Sequence, residues 1–160
     1  MESRIKAIVV SVSDTRNEKN DHSGERLLQL LRDSGAEVLE KQLVTDDFES
    51  LRQTLYSLTE TEANLVLTTG GTGFSPRDNT PEATLAVIDR EAPGISEALR
   101  IESSKHTKFA MLSRGVAGIR NGTLLINLPG SLKGVDECFD VISPILEHAV
   151  ELLGGPVSHE

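Results

Sequence analysis

The hydrophobic and polar positions of the chain form alternating strand-like and helix-like stretches. Apolar residues within 5–12, 37–44 and 64–68 predict three strands, and the first of them, which is rich in β-branched residues, is expected to be buried. Elsewhere apolar residues recur at three- and four-residue spacing, which predicts helices with one buried face. These helices are expected near residues 23–35, 47–58, 80–88, 95–103 and 131–153. The third carries Ala83, Leu85, Ala86 and Ile88 as its apolar residues.

A β-hairpin is predicted in the second half of the chain. Asn121-Gly122 separates the apolar runs 116–119 and 123–127, and Asn-Gly in this position is the strongest short signal for a two-residue hairpin turn. Strands that alternate with helices imply a mostly parallel sheet covered on both faces. The predicted fold class is therefore α/β, with a mostly parallel sheet and one local β-hairpin. Nothing in the pattern divides the chain, so we expect a single domain over residues 1–160.

Capping residues are expected at the starts of several helices. Ser23, Thr80 and Ser131 can each accept a hydrogen bond from the first turn of the helix that follows. Pro81 and Glu82 suit the first turn after Thr80, since proline is tolerated there and a negative charge is favourable. Local helix physics alone therefore explains the sequence Thr-Pro-Glu.

The chain is acidic. It has 25 Asp and Glu residues against 16 Lys and Arg residues, which gives a formal net charge of −9 at pH 7. Nucleic acids and anionic membranes bind surfaces with an excess of positive charge, so neither is an expected partner. A local basic pocket for a phosphate is compatible with this composition.

The cysteine count and the hydropathy of the sequence exclude several classes of protein. Cys138 is the only cysteine, which excludes a disulfide framework and a cysteine-based zinc site, and it lies on the apolar face of the last predicted helix. No apolar run approaches the roughly 18 residues of a membrane span. Residues 5–12 lack the flanks of a secretory signal. We therefore expect a cytoplasmic protein with no membrane partner.

Polar clusters follow four of the predicted strands. They are residues 13–15, 46–47, 69–78 and 127–131. The carboxyl ends of parallel strands meet at one edge of a sheet, and ligands of open α/β folds bind at that edge. The sequence therefore predicts that these clusters converge on a binding site.

The glycine-rich stretch after the third strand is the first candidate for anion binding. Gly70, Gly71 and Gly73 allow a sharp turn and a close approach of backbone N–H groups to an anion, although an ordinary tight turn is equally compatible with them. The stretch is neither a Walker A loop nor a dinucleotide-binding fingerprint. Ser113 with Arg114 can hold a phosphate as well. The helix start at Ser131 can attract an anion, or Ser131 can simply cap it.

Two aspartates are candidate ligands of a metal ion. Asp78 follows the glycine-rich stretch and caps nothing obvious, and a carboxylate beside an anion loop suits a Mg²⁺ ion that bridges phosphates. Asp46 or Asp47 can cap the helix that follows them, which leaves the other carboxylate free to face the site. A functional role for Asp46 and a capping role remain equally open from the local sequence.

Residues 69–84, TGGTGFSPRDNTPEAT, resemble the signature of the molybdopterin adenylyltransferases. That family includes the bacterial MogA-type enzymes and the G domains of gephyrin and plant Cnx. The similar stretches continue in order through residues 11–15, 21–24, 90–94, 110–114, 118–120 and 127–131, so the resemblance spans nearly the whole chain. One departure is Asn79, where relatives usually carry Val.

The resemblance implies a three-layer α/β/α fold, usually a homotrimer, that transfers AMP from Mg-ATP to the phosphate of molybdopterin and releases pyrophosphate. A molybdate-inserting protein would then receive the product. Carried over by position, Asp46 and Asp78 correspond to the catalytic residues that hold Mg²⁺. The implied ligand-binding residues are Ser13, Asp14, Thr15, Gly70, Gly71, Thr72, Gly73, Thr80, Glu82, Ser113, Arg114, Asn127, Pro129, Gly130 and Ser131.

Two other functions are compatible with this resemblance. MoaB-type proteins have the same fold and would bind molybdopterin without adenylylating it, and a trimeric domain can serve as a scaffold. MoaB-type proteins often lack the Arg-Asp-x-Thr-Pro-Glu form, which residues 77–82 of this chain contain. The sequence therefore favours the enzyme.

Overall fold

The apolar runs form one six-stranded sheet in a computed structural model that describes residues 4–155. The strands are β1 (Lys6–Val12), β2 (Glu37–Val44), β3 (Leu65–Thr69), β4 (Arg90–Glu91), β5 (Ala117–Arg120) and β6 (Thr123–Leu128). They lie in the order β2-β1-β3-β6-β5-β4. β2, β1, β3 and β6 are mutually parallel, whereas β5 and β4 are antiparallel to their neighbours.

Helices cover both faces of the sheet. They are α1 (His22–Asp33), α2 (Phe48–Leu58), α3 (Thr80–Val87), α4 (Pro93–Ser103) and α5 (Leu132–Leu153), with a 3₁₀ helix at Lys108–Leu112. Alternate residues of β1 point to opposite cores: Ala7 and Val9 pack with α1, α4 and α5, while Ile8 and Val10 pack with α2 and α3. The predicted three-layer α/β/α fold is confirmed. No helix within residues 4–155 is long and apolar enough to cross a membrane.

The predicted hairpin is present as β5 and β6. Its turn residues, Asn121 and Gly122, have φ values of 51° and 74°, which are the left-handed values that a two-residue turn between twisted strands requires. The parallel order of β2, β1, β3 and β6 places their carboxyl ends at one edge of the sheet. The four polar clusters that follow these strands therefore lie at that edge, as the sequence predicted.

Two short elements have no counterpart in the sequence prediction. β4 has only two residues, which pair with Gly118 and Ile119 of β5, and the 3₁₀ helix at Lys108–Leu112 buries none of its residues. Neither is long enough to produce a hydrophobic period. The prediction of one domain over residues 1–160 also includes residues 1–3 and 156–160, which lie outside the described part of the chain.

The cap of α1 differs from its prediction. The helix begins at His22, and the side chain of Asp21 accepts the cap hydrogen bond from the Gly24 N–H at 3.2 Å. The prediction that Ser23 caps this helix is therefore wrong. Asp21 is held at the cap by a buried ion pair with Lys41 of β2, at 2.8 Å, whereas the Ser23 hydroxyl donates to the carbonyl of Gly130 at 2.6 Å.

The caps of α2 and α5 follow the sequence. Asp47 accepts from the Ser50 N–H at 2.9 Å, so it is the capping residue of the pair and the carboxylate of Asp46 is left for another purpose. Ser131 accepts from the Gly134 N–H at 3.0 Å, which confirms it as the cap of α5.

Substitutions of one leucine in β3 and one in α3 test which residues form the core. Leu67 of β3 is fully buried, whereas Leu85, expected from sequence on the apolar face of its helix, is 43% exposed. We expect Leu67→Ala to lower the free energy of unfolding by about 2–5 kcal/mol, because it leaves a cavity between sheet and helices. Leu85→Ala, the control, should change it by roughly 0.5 kcal/mol or less. Equal losses in urea denaturation would contradict this assignment of the core.

Candidate functional site

A tight turn of glycines connects β3 to the site. Gly70 and Gly71 have φ values of 102° and 69°, a region that favours glycine. A Cβ on Gly71 would also collide with the Thr80 hydroxyl and lie 2.9 Å from Oδ1 of Asp46. Gly70 N–H donates to the carbonyl of Leu128 in β6 at 3.2 Å. The turn therefore needs glycine both for its backbone angles and for its close neighbours.

Thr80 supports this turn instead of capping α3. The helix begins at Thr80 itself, and Asn79 occupies the cap position without a side-chain capping bond. The buried Thr80 hydroxyl donates to the carbonyl of Gly70 at 2.9 Å, and its N–H donates to the carbonyl of Gly71 at 3.1 Å. The prediction of Thr80 as N-cap is wrong because these tertiary partners take its hydroxyl, and Pro81 is accordingly the second helical residue.

Arg114 holds the rest of the loop. Its Nε donates to the carbonyl of Gly73 at 2.7 Å, and its Nη2 donates to the carbonyl of Asp78 at 2.9 Å. Its Nη1 lies 2.8 Å from both carboxylate oxygens of Glu82. The backbone N–H of Arg114 donates to the carbonyl of Thr72 at 2.8 Å. The sequence predicted a phosphate ligand here, but every guanidinium nitrogen already donates to the loop or to α3.

Three carboxylates lie on one side of the loop. Asp14 accepts the backbone N–H of Asp46 at 2.9 Å and forms an ion pair with Arg77. Asp78 accepts the Ser75 N–H at 3.2 Å. Oδ1 of Asp46 is buried and has no hydrogen-bond partner among the described residues. Burial raises the pKa of Asp46, and the charges of Asp14 and Asp78 raise it further, while Arg77 acts in the opposite direction.

These carboxylates suit a hard divalent cation in combination with a ligand. Within residues 4–155, no group of three or more His, Cys, Asp or Glu side chains is arranged to hold a metal ion by itself. Mg²⁺ commonly takes one or two carboxylates and completes its shell with phosphate oxygens and water. The unpartnered Oδ1 of Asp46 is an oxygen of the required kind, so the residues fit such an ion.

A cavity of about 330 Å³ lies next to the loop, and none of the three aspartates lines it. Its walls are mostly apolar and come from α4, the 3₁₀ helix, the first turns of α5 and the loops after β3 and β6. Six of the predicted site residues line it: Thr72, Gly73, Ser113, Asn127, Pro129 and Ser131. Six predicted residues therefore line the cavity, and the predicted carboxylates lie outside its lining, beside the glycine loop.

Asn127 has its polar atoms bound within the protein. Its Nδ2 lies 3.0 Å from the hydroxyls of both Thr68 and Thr84, and its Oδ1 accepts the Val116 N–H at 3.1 Å. The side chain is buried and links β3, β6 and α3. Its contribution to the site is to fix the strands from which the loops emerge.

The loop after β1 and the loop after β6 meet at the same edge. The Ser13 hydroxyl accepts the N–H groups of Thr15 and Arg16, at 3.2 and 3.1 Å. The Arg16 guanidinium reaches the carbonyl of Gly130 at 3.3 Å. A Cβ on Gly130 would lie 3.3 Å from Cα of Gly70, so this glycine brings its loop against the loop after β3.

Sequence reasoning did not assign site roles to Arg16, Arg77 or Asn79. Asn79 donates to the carbonyl of Asp46 at 2.7 Å and so joins the loops that carry two of the carboxylates. In the sequence, Arg77 stands out only as the first residue of the Arg-Asp-x-Thr-Pro-Glu form. The partners of these residues are distant in the sequence, and no local pattern signals them.

Comparisons with known proteins give consistent results. A family model described as "Probable molybdopterin binding domain" matches residues 8–148. The chain is 44% identical over 154 residues to the molybdenum cofactor synthesis protein cinnamon of Drosophila melanogaster, which covers 94% of this chain and 26% of that protein. It is 38% identical over 152 residues to a molybdopterin adenylyltransferase of Helicobacter pylori, and the match covers 92% of this chain and 86% of that protein.

A solved structure shows the same fold. The molybdopterin biosynthesis enzyme MoaB of Thermus thermophilus is 40% identical, superposes with a TM-score of 0.87, and covers 96% of this chain and 99% of that one. The chain thus spans about a quarter of the Drosophila relative and nearly all of the Thermus protein.

The raised pKa of Asp46 predicts that its ionised carboxylate lowers the stability of the fold at neutral pH. A carboxyl whose folded pKa lies above its ordinary value of 3.8 stabilises the fold below that value and loses this contribution as pH rises through the folded pKa. We therefore expect Asp46→Asn to raise the melting temperature at pH 7.5, with the difference shrinking toward pH 4. Asp47→Asn is the control, since asparagine also caps helices. A lower melting temperature for Asp46→Asn at pH 7.5 would contradict this prediction.

Proposed function

Because the chain belongs to the family of probable molybdopterin binding domains, we propose that it acts in molybdenum cofactor biosynthesis as a molybdopterin adenylyltransferase. In this reaction an oxygen of the molybdopterin phosphate attacks the α-phosphorus of ATP. The bond from the α-phosphorus to the oxygen that bridges to the β-phosphorus breaks, and pyrophosphate leaves. The product is adenylyl-molybdopterin, which a molybdate-inserting protein would receive.

The observation that carries this proposal is the set of free N–H groups in the glycine loop. The carbonyls of residues 70–73 accept bonds from Thr80 and Arg114. Among the described residues, the N–H groups of Gly71, Thr72 and Gly73 donate to no other protein atom. Consecutive free N–H groups in a turn form a concave site for phosphate oxygens. The loop is therefore held through its acceptors with its donors available for an anion.

The cavity beside the loop suits the pterin. Its volume of about 330 Å³ and mostly apolar walls fit a flat fused ring, and it is within the range of small-molecule pockets, roughly 300–1,000 Å³. Thr72 and Gly73 belong to both the cavity wall and the loop. A pterin in the cavity would thus place its phosphate at the free N–H groups, with ATP approaching from the carboxylate side.

Asp46 and Asp78 would hold Mg²⁺ on that second side of the loop. When bound, Mg²⁺ neutralises charge on the reacting phosphates. The chain's own part is positional: Arg114 fixes the carbonyl of Asp78, and Asn79 fixes the carbonyl of Asp46. Thr80 fixes the glycine turn beside Asp46. Two phosphate-bearing substrates held in this way react without a covalent enzyme intermediate, through proximity and charge stabilisation.

A mixing assay tests the function directly. Purified protein with molybdopterin, ATP and Mg²⁺ should give adenylyl-molybdopterin and one pyrophosphate for each, measured by chromatography and a coupled pyrophosphate assay. A protein that binds molybdopterin but forms no product would instead be a binding protein of the MoaB type. Failure to bind either substrate would leave only the scaffold function.

The variant Asp78→Asn is expected to lose AMP transfer in that assay while it still binds molybdopterin. We expect the rate of AMP transfer to fall on the order of 100-fold, because the carboxylate acts on charge that develops in the transition state. Molybdopterin affinity, measured by quenching of pterin fluorescence, should stay within about twofold, since Asp78 does not line the cavity proposed for the pterin. Asp140→Asn, on the exposed face of α5, is the control. Turnover close to that of the wild type in Asp78→Asn would refute the assignment.

We propose a homotrimer as the working assembly. Ile101, Phe109 and Met111 are exposed apolar side chains on α4 and the 3₁₀ helix, and exposed apolar groups of this kind mark association surfaces. Light scattering after size-exclusion chromatography should give three times the chain mass of 17.3 kDa. Met111→Asp should lower that mass, whereas a monomeric wild type would refute the trimer.

A further inference from the structure

The side chain of Arg77 bridges two loops at the carboxylate group. It lies in the loop after β3 and forms an ion pair with Asp14, which lies in the loop after β1. Asp14 in turn accepts the backbone N–H of Asp46. The Arg77 side chain is 69% exposed, whereas that of Asp14 is 20% exposed. One end of this pair is therefore fixed in the protein and the other end is accessible to solvent.

Arg77 is also the cation that balances the carboxylates. Among the described residues, the other nearby guanidinium, Arg114, has its nitrogens bonded to Glu82 and to loop carbonyls. The charges that act on Asp46 are those of Asp14 and Asp78, which oppose its ionisation, and that of Arg77, which favours it. Without a metal ion, Arg77 reduces the repulsion among the three carboxylates.

We infer that Arg77 is an internal countercation that a divalent metal ion displaces from Asp14, and that the displaced guanidinium then binds a phosphate of the arriving nucleotide. This inference rests on the metal and nucleotide site of the proposed function. It adds Arg77 as a substrate-binding residue, and it adds electrostatic competition between Arg77 and the metal ion, because both positive charges are stabilised by the same three neighbouring aspartates.

The geometry permits this exchange without moving the backbone. The loop is fixed on both sides of Arg77, by the bonds from Arg114 to the Gly73 carbonyl and to the Asp78 carbonyl. Only the exposed side chain of Arg77 has to rotate. A guanidinium pairs with phosphate as readily as with carboxylate, because its planar donors match two oxygens of either group.

Metal binding and nucleotide binding should therefore respond to Arg77→Gln in opposite directions. With Mn²⁺ alone as the probe, followed by the electron paramagnetic resonance signal of the free ion, we expect the variant to bind about tenfold more tightly than the wild type, since the competing charge is gone. With Mg²⁺ and a non-hydrolysable ATP analogue, followed by calorimetry, we expect it to bind about tenfold more weakly, since one phosphate contact is lost.

Control variants separate this role from a structural one. Arg77→Lys keeps the positive charge, so Mn²⁺ binding should stay within about threefold of the wild type. Arg52→Gln removes a surface guanidinium of α2 that pairs with Glu49, and neither measurement should change. Circular dichroism of each variant confirms that it is folded.

The outcomes distinguish this inference from the proposed function. If the wild type binds Mg²⁺ and the ATP analogue but Arg77→Gln binds Mn²⁺ no more tightly, Arg77 is not a competitor and the inference is overturned. A parallel loss of both affinities overturns it as well, because a merely structural residue would act in that way. A wild type that binds neither metal nor nucleotide overturns the proposed site and the inference together.

Discussion

The turn at Gly70 and Gly71 is the constraint on which the site depends. Positive φ at both residues lets the chain leave β3 and pass directly against the loop after β6, with no side chain between them. The carbonyls of residues 70–73 accept bonds from Thr80 and Arg114, and the N–H groups of Gly71, Thr72 and Gly73 donate to no protein acceptor among the described residues. This arrangement places the end of β3 next to both the apolar cavity and the aspartates.

The proposed ligands carry phosphates, whereas the chain is acidic, so their binding would depend on local positive potential at the site. The donors at the loop are backbone N–H groups, which carry only partial charge and lose no side-chain entropy on binding. Full positive charges are few at this edge and are mostly paired, as Arg114 is with Glu82. In the proposed site, the orientation of a few dipoles would therefore matter more than the net charge of the protein, and a metal ion would supply the remaining positive charge.

Much of the fold could be predicted from the sequence because its signals are local. The β-branched runs, the Asn-Gly turn and the polar clusters after the strands each depend on neighbouring residues, and the parallel topology then brings the clusters to one edge. The errors at Ser23 and Thr80 have one common cause: each hydroxyl bonds a glycine carbonyl that is remote in the sequence. The same holds for Asn79, whose bond to the Asp46 carbonyl spans 33 residues. The cavity was missed for the same reason, since α4 and α5 form its wall only after folding.

The two-residue strand β4 has a consequence for how molecules of this protein meet one another in solution. An open sheet ends in a row of unpaired N–H and C=O groups, to which a strand from another molecule can add. Here the sheet ends beyond the hairpin in Arg90 and Glu91, both charged and exposed. An edge strand of two residues offers too few hydrogen bonds for a strand of another molecule to add to the sheet. Its charges also disfavour contact with an apolar surface. The edge next to the hairpin is thus protected against aggregation.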